Sequence, residues 1–172
     1  AALSLVVAAI LVHMIPLLAG LGLGASAAVV GTLFGPAQVL SRLINMVFGR
    51  KLAAVDLGLI AATLMPASVA LLALTAPSTI GAMAFAVVFG LGNGLFSIVI
   101  GTLPLVLFGS EGYGALQGKV MAARLVVAAM APFAFAFALT AIGAGPSLAV
   151  TALVGALGGL SFLAIRLLVR RM

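Results

Sequence analysis

The sequence predicts an all-α membrane protein with six transmembrane helices. Three observations lead there. First, 66% of the 172 residues are hydrophobic and only 6% are charged. A soluble domain carries about 25% charged residues, so this chain has too few to cover a surface in water. Its apolar content excludes a disordered chain for the opposite reason. Second, the apolar residues fall into six long runs. Each approaches or exceeds the roughly 20 residues that cross about 30 Å of hydrocarbon as a helix. The runs are too long for barrel strands and lack their period-two alternation. Third, the breaks between runs carry turn residues, and the charges gather at alternate breaks.

The spans are expected at about 1–19, 27–48, 57–76, 80–107, 119–142 and 146–169. The chain enters the first directly from Ala1-Ala2-Leu3, with no charged leader segment, which reads as a piece of something longer. Gly20, Gly22 and Gly24 close that span, and Gly49-Arg50-Lys51 closes the second. Pro77-Ser78-Thr79 separates the third from the fourth. The stretch Gly109-Ser110-Glu111-Gly112-Tyr113-Gly114 follows the fourth, and Gly143-Ala144-Gly145-Pro146 divides the last two.

Charge placement sets the orientation. Arg50, Lys51 and Asp56 follow the second span. Glu111, Lys119 and Arg124 surround the fourth-to-fifth connection, and Arg166, Arg170 and Arg171 end the sixth. Six alternating spans put all of these on one side, and the uncharged connections on the other. The positive-inside rule makes the charged side cytoplasmic, with both termini there. Five or seven spans would spoil the segregation. The net charge of +6 thus marks topology rather than a nucleic-acid face. With no cysteine, one histidine and two acids, no metal site or cofactor is expected.

Some polar residues cost energy in a bilayer. In the second span Gly31, Gly35, Gln38, Arg42, Asn45 and Gly49 recur every three or four residues, along one helical face. A central Arg costs about 2.5–3.5 kcal/mol on insertion scales, so it faces a protein interior or a water-filled cavity. Snorkelling toward the cytoplasmic boundary is the plainer reading of Arg42, but it leaves Gln38 and Asn45 unexplained. In the fourth span Gly90, Asn93, Gly94, Ser97, Gly101 and Pro104 form a second stripe. Helix packing through Gly90 and Gly94 competes there with a cavity lined by Asn93 and Ser97. Pro104 is expected to bend the helix and to free carbonyls that line the cavity. His13, three residues before Pro16, is either a proton or substrate ligand or a hydrogen-bonded packing residue. The third and sixth spans are plain and read as lipid-facing or peripheral. A plain third helix in each triplet hints at two three-helix inverted repeats.

Enzymatic chemistry finds no support. Gly24-Ala25-Ser26-Ala27 lacks the Gly that an intramembrane serine protease places after its serine, and the one histidine precedes that serine. A serine without an oriented base is not activated. Gly159-Leu160-Ser161-Phe162-Leu163 is no nucleophile elbow, and phosphate loops and carboxylate pairs are missing.

The stretch Gly35-Pro36-Ala37-Gln38-Val39-Leu40-Ser41-Arg42-Leu43 resembles the second helix in the C-terminal half of bacterial major facilitator superfamily transporters. Ser41, Asn45 and Gly49-Arg50-Lys51 are similar to the superfamily's loop motif G-x-x-x-D-R-x-G-R-K. Ser41 and Asn45 replace its Gly and Asp, Met46 replaces its first Arg, and one residue is inserted. Gly92-Asn93-Gly94, Gly101-Thr102-Leu103-Pro104-Leu105, Phe108-Gly109 and Tyr113-Gly114 also resemble bacterial members. The resemblance covers essentially the whole chain and is specific to the superfamily, not to a substrate. It implies helices seven to twelve of a twelve-helix transporter in a bacterial inner membrane, with the first, second, fourth and fifth lining a central cavity. Gln38, Arg42, Asn45, Asn93, Ser97 and His13 become the cavity candidates. Gly49, Arg50 and Lys51 become a cytoplasmic gating loop. The implied partners are the lipid bilayer, an N-terminal six-helix half or a second copy, and a small-molecule substrate, with proton coupling left open. The implied activity is secondary transport of a small solute by alternating access. The competing expectation is a non-transporting six-helix scaffold or subunit that works as a dimer or with a partner half.

Overall fold

The computed structural model describes residues 1–49 and 52–169. The six apolar runs fold as six helical spans: Ala2–Leu23, Ser26–Phe48, Ala54–Thr75, Thr79–Phe108, Tyr113–Ile142 and Ala144–Leu168. All are long and apolar enough to cross a membrane, and no strand occurs among the described residues.

The first span is α1 (Ala2–Leu18), continued by a wider turn over Ala19–Leu23. The second divides into α2 (Ser26–Thr32) and α3 (Phe34–Phe48). Pro36 causes the break, because it has no N–H to offer the Thr32 carbonyl four residues earlier. The single polar face expected from Gly31 to Gly49 is therefore interrupted. Gly31 turns toward Ile15 of the first span, while Gly35 opens onto free space.

The third span is α4 (Ala54–Thr75), with Asp56 favourably placed in its first turn. The fourth, α5 (Thr79–Phe108), is capped by Ser78, whose hydroxyl accepts from Gly81 N at 3.3 Å. The fifth is α6 (Tyr113–Ile142) and the sixth α7 (Ala144–Val169). Gly109 and Gly112 bound the turn between α5 and α6 at φ 75° and 64°, a region that side chains with a Cβ disfavour. That turn is shorter than expected, since helix resumes at Tyr113 rather than near residue 119. The sixth span also starts early, at Ala144, which puts Pro146 in the first turn, where a missing N–H costs nothing.

Packing follows small residues, as it must where lipid removes the hydrophobic drive between helices. α3 lies on α5, α4 on α5 and α7, and α1 on α6 and α7. A Cβ on Gly90 would meet the Phe34 carbonyl oxygen at 2.6 Å and Ala37 Cβ at 2.8 Å. Gly94 is pressed onto Ser41 and the Gln38 carbonyl. These two glycines let the second and fourth backbones touch, so packing is their role. Phe85, Phe89 and Phe34 fill the adjoining core, with Phe85 and Phe89 stacked at 5.6 Å between ring centroids.

The expectation of a lipid-facing third span needs correction. Leu57, Ala61, Ala62, Met65, Val69 and Leu72 of α4 are buried. Its open side is the narrow stripe Ile60, Thr63, Ala67 and Leu74. Gly58 receives the Phe162 ring, a Cβ on Gly155 would meet Pro66 Cβ at 2.9 Å, and Gly159 faces the Ala62 carbonyl. The absence of ionisable residues fits a helix that is lipid-facing or peripheral, and its small residues also permit tight packing on its two neighbours. Asp56 and Arg166 pair at 2.6 Å and fasten the ends of the third and sixth spans together.

Candidate functional site

Four spans converge on Ser97. It lies on α5, eleven residues before Phe108, or about 16 Å of helix rise. Arg42 of α3 crosses to it, and its Nε donates to Ser97 Oγ at 3.1 Å. The hydroxyl in turn donates to the Gly94 carbonyl at 2.7 Å. The Arg42 side chain is exposed, so its charge stands at an open rim with one fixed protein partner.

Beside Ser97 lies a cavity of about 220 Å³, lined by Ser4, Val7 and Ala8 of the first span, Asn93, Phe96, Ser97 and Ile100 of the fourth, and Arg124 and Ala128 of the fifth. Asn93 is 8% exposed and sits at the midpoint of α5, where its amide has no hydrogen-bond partner among the described residues. Arg124 Nε and Nη1 and Ser4 Oγ are buried and equally unpartnered. A buried donor left unsatisfied costs about 1–3 kcal/mol, and more when charged. Three such atoms belong to residues that line this one cavity.

Arg124 lies deeper in its helix than the sequence reading placed it, level with Ser4 near the start of the first span. Because α6 begins at Tyr113, Arg124 lies eleven residues inside it, about 16 Å along the helix. Two bonds hold those early turns against α5. Gln117 Nε2 donates to the Ile100 carbonyl at 3.2 Å, and Tyr113 Oη to the Gly101 carbonyl at 2.8 Å. Ile100 is the carbonyl that Pro104, four residues on, cannot serve. The carbonyl freed by the proline is thus taken by the fifth span instead of lining the cavity. A sequence signal for Arg124 does exist. Gln117, Met121, Arg124, Ala128, Ala131 and Phe135 are spaced four, three, four, three and four, and all are at least partly buried.

The remaining candidates lie elsewhere. The Gln38 backbone carbonyl accepts from Ser41 Oγ at 3.1 Å, and its half-buried side chain does not line the cavity. Asn45 packs beneath Gly49 at the end of the second span, and its Oδ1 is buried with no partner among the described residues. Gly49 itself is buried; Arg50 and Lys51 lie outside the described residues. His13 is about 14 Å along α1 from Ser4. Its Nδ1 donates to the Ala9 carbonyl at 3.0 Å, and its ring packs edge-on against Phe135 at 5.4 Å. It lines a separate pocket of about 250 Å³ with Pro16, Gly20, Leu139 and Ala144. A larger apolar groove, about 670 Å³, runs between the third and sixth spans, and Thr63 brings its one side-chain hydroxyl.

The two acids are remote from the cavity. Asp56 is engaged with Arg166, and Glu111 is exposed in the turn before α6. Among the described residues no group of three His, Cys, Asp or Glu side chains could hold a metal ion. Comparison with protein families, with curated proteins and with solved structures finds no match to this chain.

Proposed function

We propose that this chain is one six-helix half of a secondary transporter of the major facilitator type, moving a small solute by alternating access. The observation that carries the reading is the convergence at Ser97. The first, second, fourth and fifth spans all supply residues there, and among the described residues the third and sixth supply none. That is the division of labour expected of such a half.

The pairing of spans supports it further. The first packs on the fifth and sixth, the fourth on the second and third, and the third on the sixth. Exchanging the two triplets returns the same pattern, as two three-helix repeats related by a two-fold axis would require.

The second and fifth spans are the least covered by their neighbours. Arg42 is exposed on the second. Lipid tolerates bare Leu and Phe but not a bare guanidinium. This flank therefore calls for another protein surface or a water-filled path, which a second six-helix half would supply. Rocking of the halves about the cavity would then expose it alternately, with the charged connections and both termini on the cytoplasmic side of an inner membrane. The same bare flank favours a second reading, a six-helix subunit that dimerises without transporting.

The test is solute flux in proteoliposomes holding the complete chain, against protein-free liposomes. Flux that saturates with solute concentration is expected. A folded, correctly inserted protein that passes no solute would leave the subunit reading.

A further inference from the structure

We propose that the cavity between the first, fourth and fifth spans binds a small oxyanion, with Arg124 as its main ligand and Ser4 and Asn93 as neutral partners. This rests on the transporter reading and names the substrate class of the same cavity.

The residues lining the cavity carry more hydrogen-bond donors than acceptors. Arg124 lines it, and its Nε and Nη1 lie buried with no hydrogen-bond partner among the described residues. Guanidinium is a planar, permanently charged array of donors that matches carboxylate and phosphate oxygens. The Ser4 hydroxyl is buried and unpartnered at the same cavity, and the Asn93 amide opens onto it. A second positive charge stands beside it, because Ser97 holds Arg42 at 3.1 Å and also lines the cavity. Ser97 already accepts from Arg42 and donates to Gly94, so its role is to position Arg42.

Among the described residues no carboxylate lines this cavity. Asp56 is committed to Arg166 on other spans, and Glu111 lies in an exposed turn. Two cations converging in a membrane-spanning bundle need a counter-charge, because an unpaired ion is poorly tolerated there. A bound oxyanion supplies it. The volume, about 220 Å³, is below the roughly 300 Å³ at which sites for drug-sized ligands begin. An anion of few heavy atoms fits that space.

The experiment uses the complete chain, purified in detergent at constant ionic strength. Thermal transitions are followed with phosphate, sulfate, succinate or lactate, with neutral glycerol and with cationic tetramethylammonium. At least one oxyanion is expected to raise the transition temperature, and the other two classes are not. Arg124→Gln is expected to weaken the apparent oxyanion affinity about 10- to 100-fold. Arg124→Lys should lose less, since the charge remains. Should Arg124→Gln fail to fold, Ser4→Ala and Asn93→Ala read the same loss on a smaller scale.

Stabilisation by no oxyanion, or by glycerol or tetramethylammonium alone, overturns the proposal. So does an Arg124→Gln protein that melts earlier yet keeps its oxyanion affinity, the result expected if an acid of another six-helix unit neutralises Arg124. Flux of the same probes in proteoliposomes separates this inference from the reading beneath it. Oxyanion binding without flux of any probe keeps the site and removes the transporter. Flux restricted to neutral or cationic probes keeps the transporter and removes the anion site.

Discussion

Arg42 and Ser97, fifty-five residues apart in the chain, meet at 3.1 Å and join the second span to the fourth. The bond bears on the two uses of a membrane arginine. A side chain that only sought the boundary would run along its own helix, whereas this one crosses to a neighbour and holds its charge beside a polar cavity. Arg42→Ala and Ser97→Ala should each lower transport in proteoliposomes. Their double-mutant cycle in thermal unfolding should show a coupling of about 1 kcal/mol. Additive effects would mean that the pair does not act as a unit.

Glycines of the fourth span separate packing from free space. Gly90 and Gly94 lie against the backbone of the second span, and Gly101 has nothing near the position of a Cβ. Gly90→Val should cost about 1–3 kcal/mol through overpacking. Gly101→Ala should be neutral or stabilise by up to about 1 kcal/mol, because glycine is a poor helix former. Melting of the detergent-solubilised variants measures both, and equal effects would refute the contact.

Pro104 and Gln117 form a compensating pair. Gln117 Nε2 serves the Ile100 carbonyl, which Pro104 leaves without a helix donor. Gln117→Leu should destabilise by about 1 kcal/mol with Pro104 present. A Pro104→Ala background restores a backbone N–H that can reach the Ile100 carbonyl, and there the same substitution should cost little. Thermal melts of the four proteins test this, and a cost independent of residue 104 argues against compensation.

The Asp56–Arg166 pair is about one-third exposed on each partner. Asp56→Asn should therefore cost only about 0–1 kcal/mol. Exchanging the two residues, Asp56→Arg with Arg166→Asp, should recover most of that loss. Chemical denaturation in mild detergent reads the difference, and a loss of several kcal/mol would mean the pair is more deeply desolvated than its geometry indicates.

The legible parts of the site were those with a local cost. Arg42 and Asn93 stood out because a charge or an amide inside an apolar run has to be explained by something. Arg124 did not stand out, because Gly112, Gly114 and Gly118 made the preceding stretch read as loop and moved the helix start toward residue 119. The structure continues helix through Gly114 and Gly118, where Tyr113 and Gln117 bond across to the fourth span. A long-range contact thus overrode a weak local preference. His13 stood out for its chemistry alone, and its ring is satisfied by Ala9 and Phe135 away from the cavity.

Sequence alone determined that this chain is helical, that six segments can span a membrane, and roughly where each ends. Those properties are local, since apolar length and turn chemistry act over a few to some twenty neighbouring residues. Only the tertiary structure decided which polar residues share a cavity, which carbonyl Gln117 serves, and that the third span is packed rather than bare. Those outcomes depend on where helices cross. The crossing points are set by small residues such as Gly90, Gly94 and Gly159, which meet partners far away in the chain.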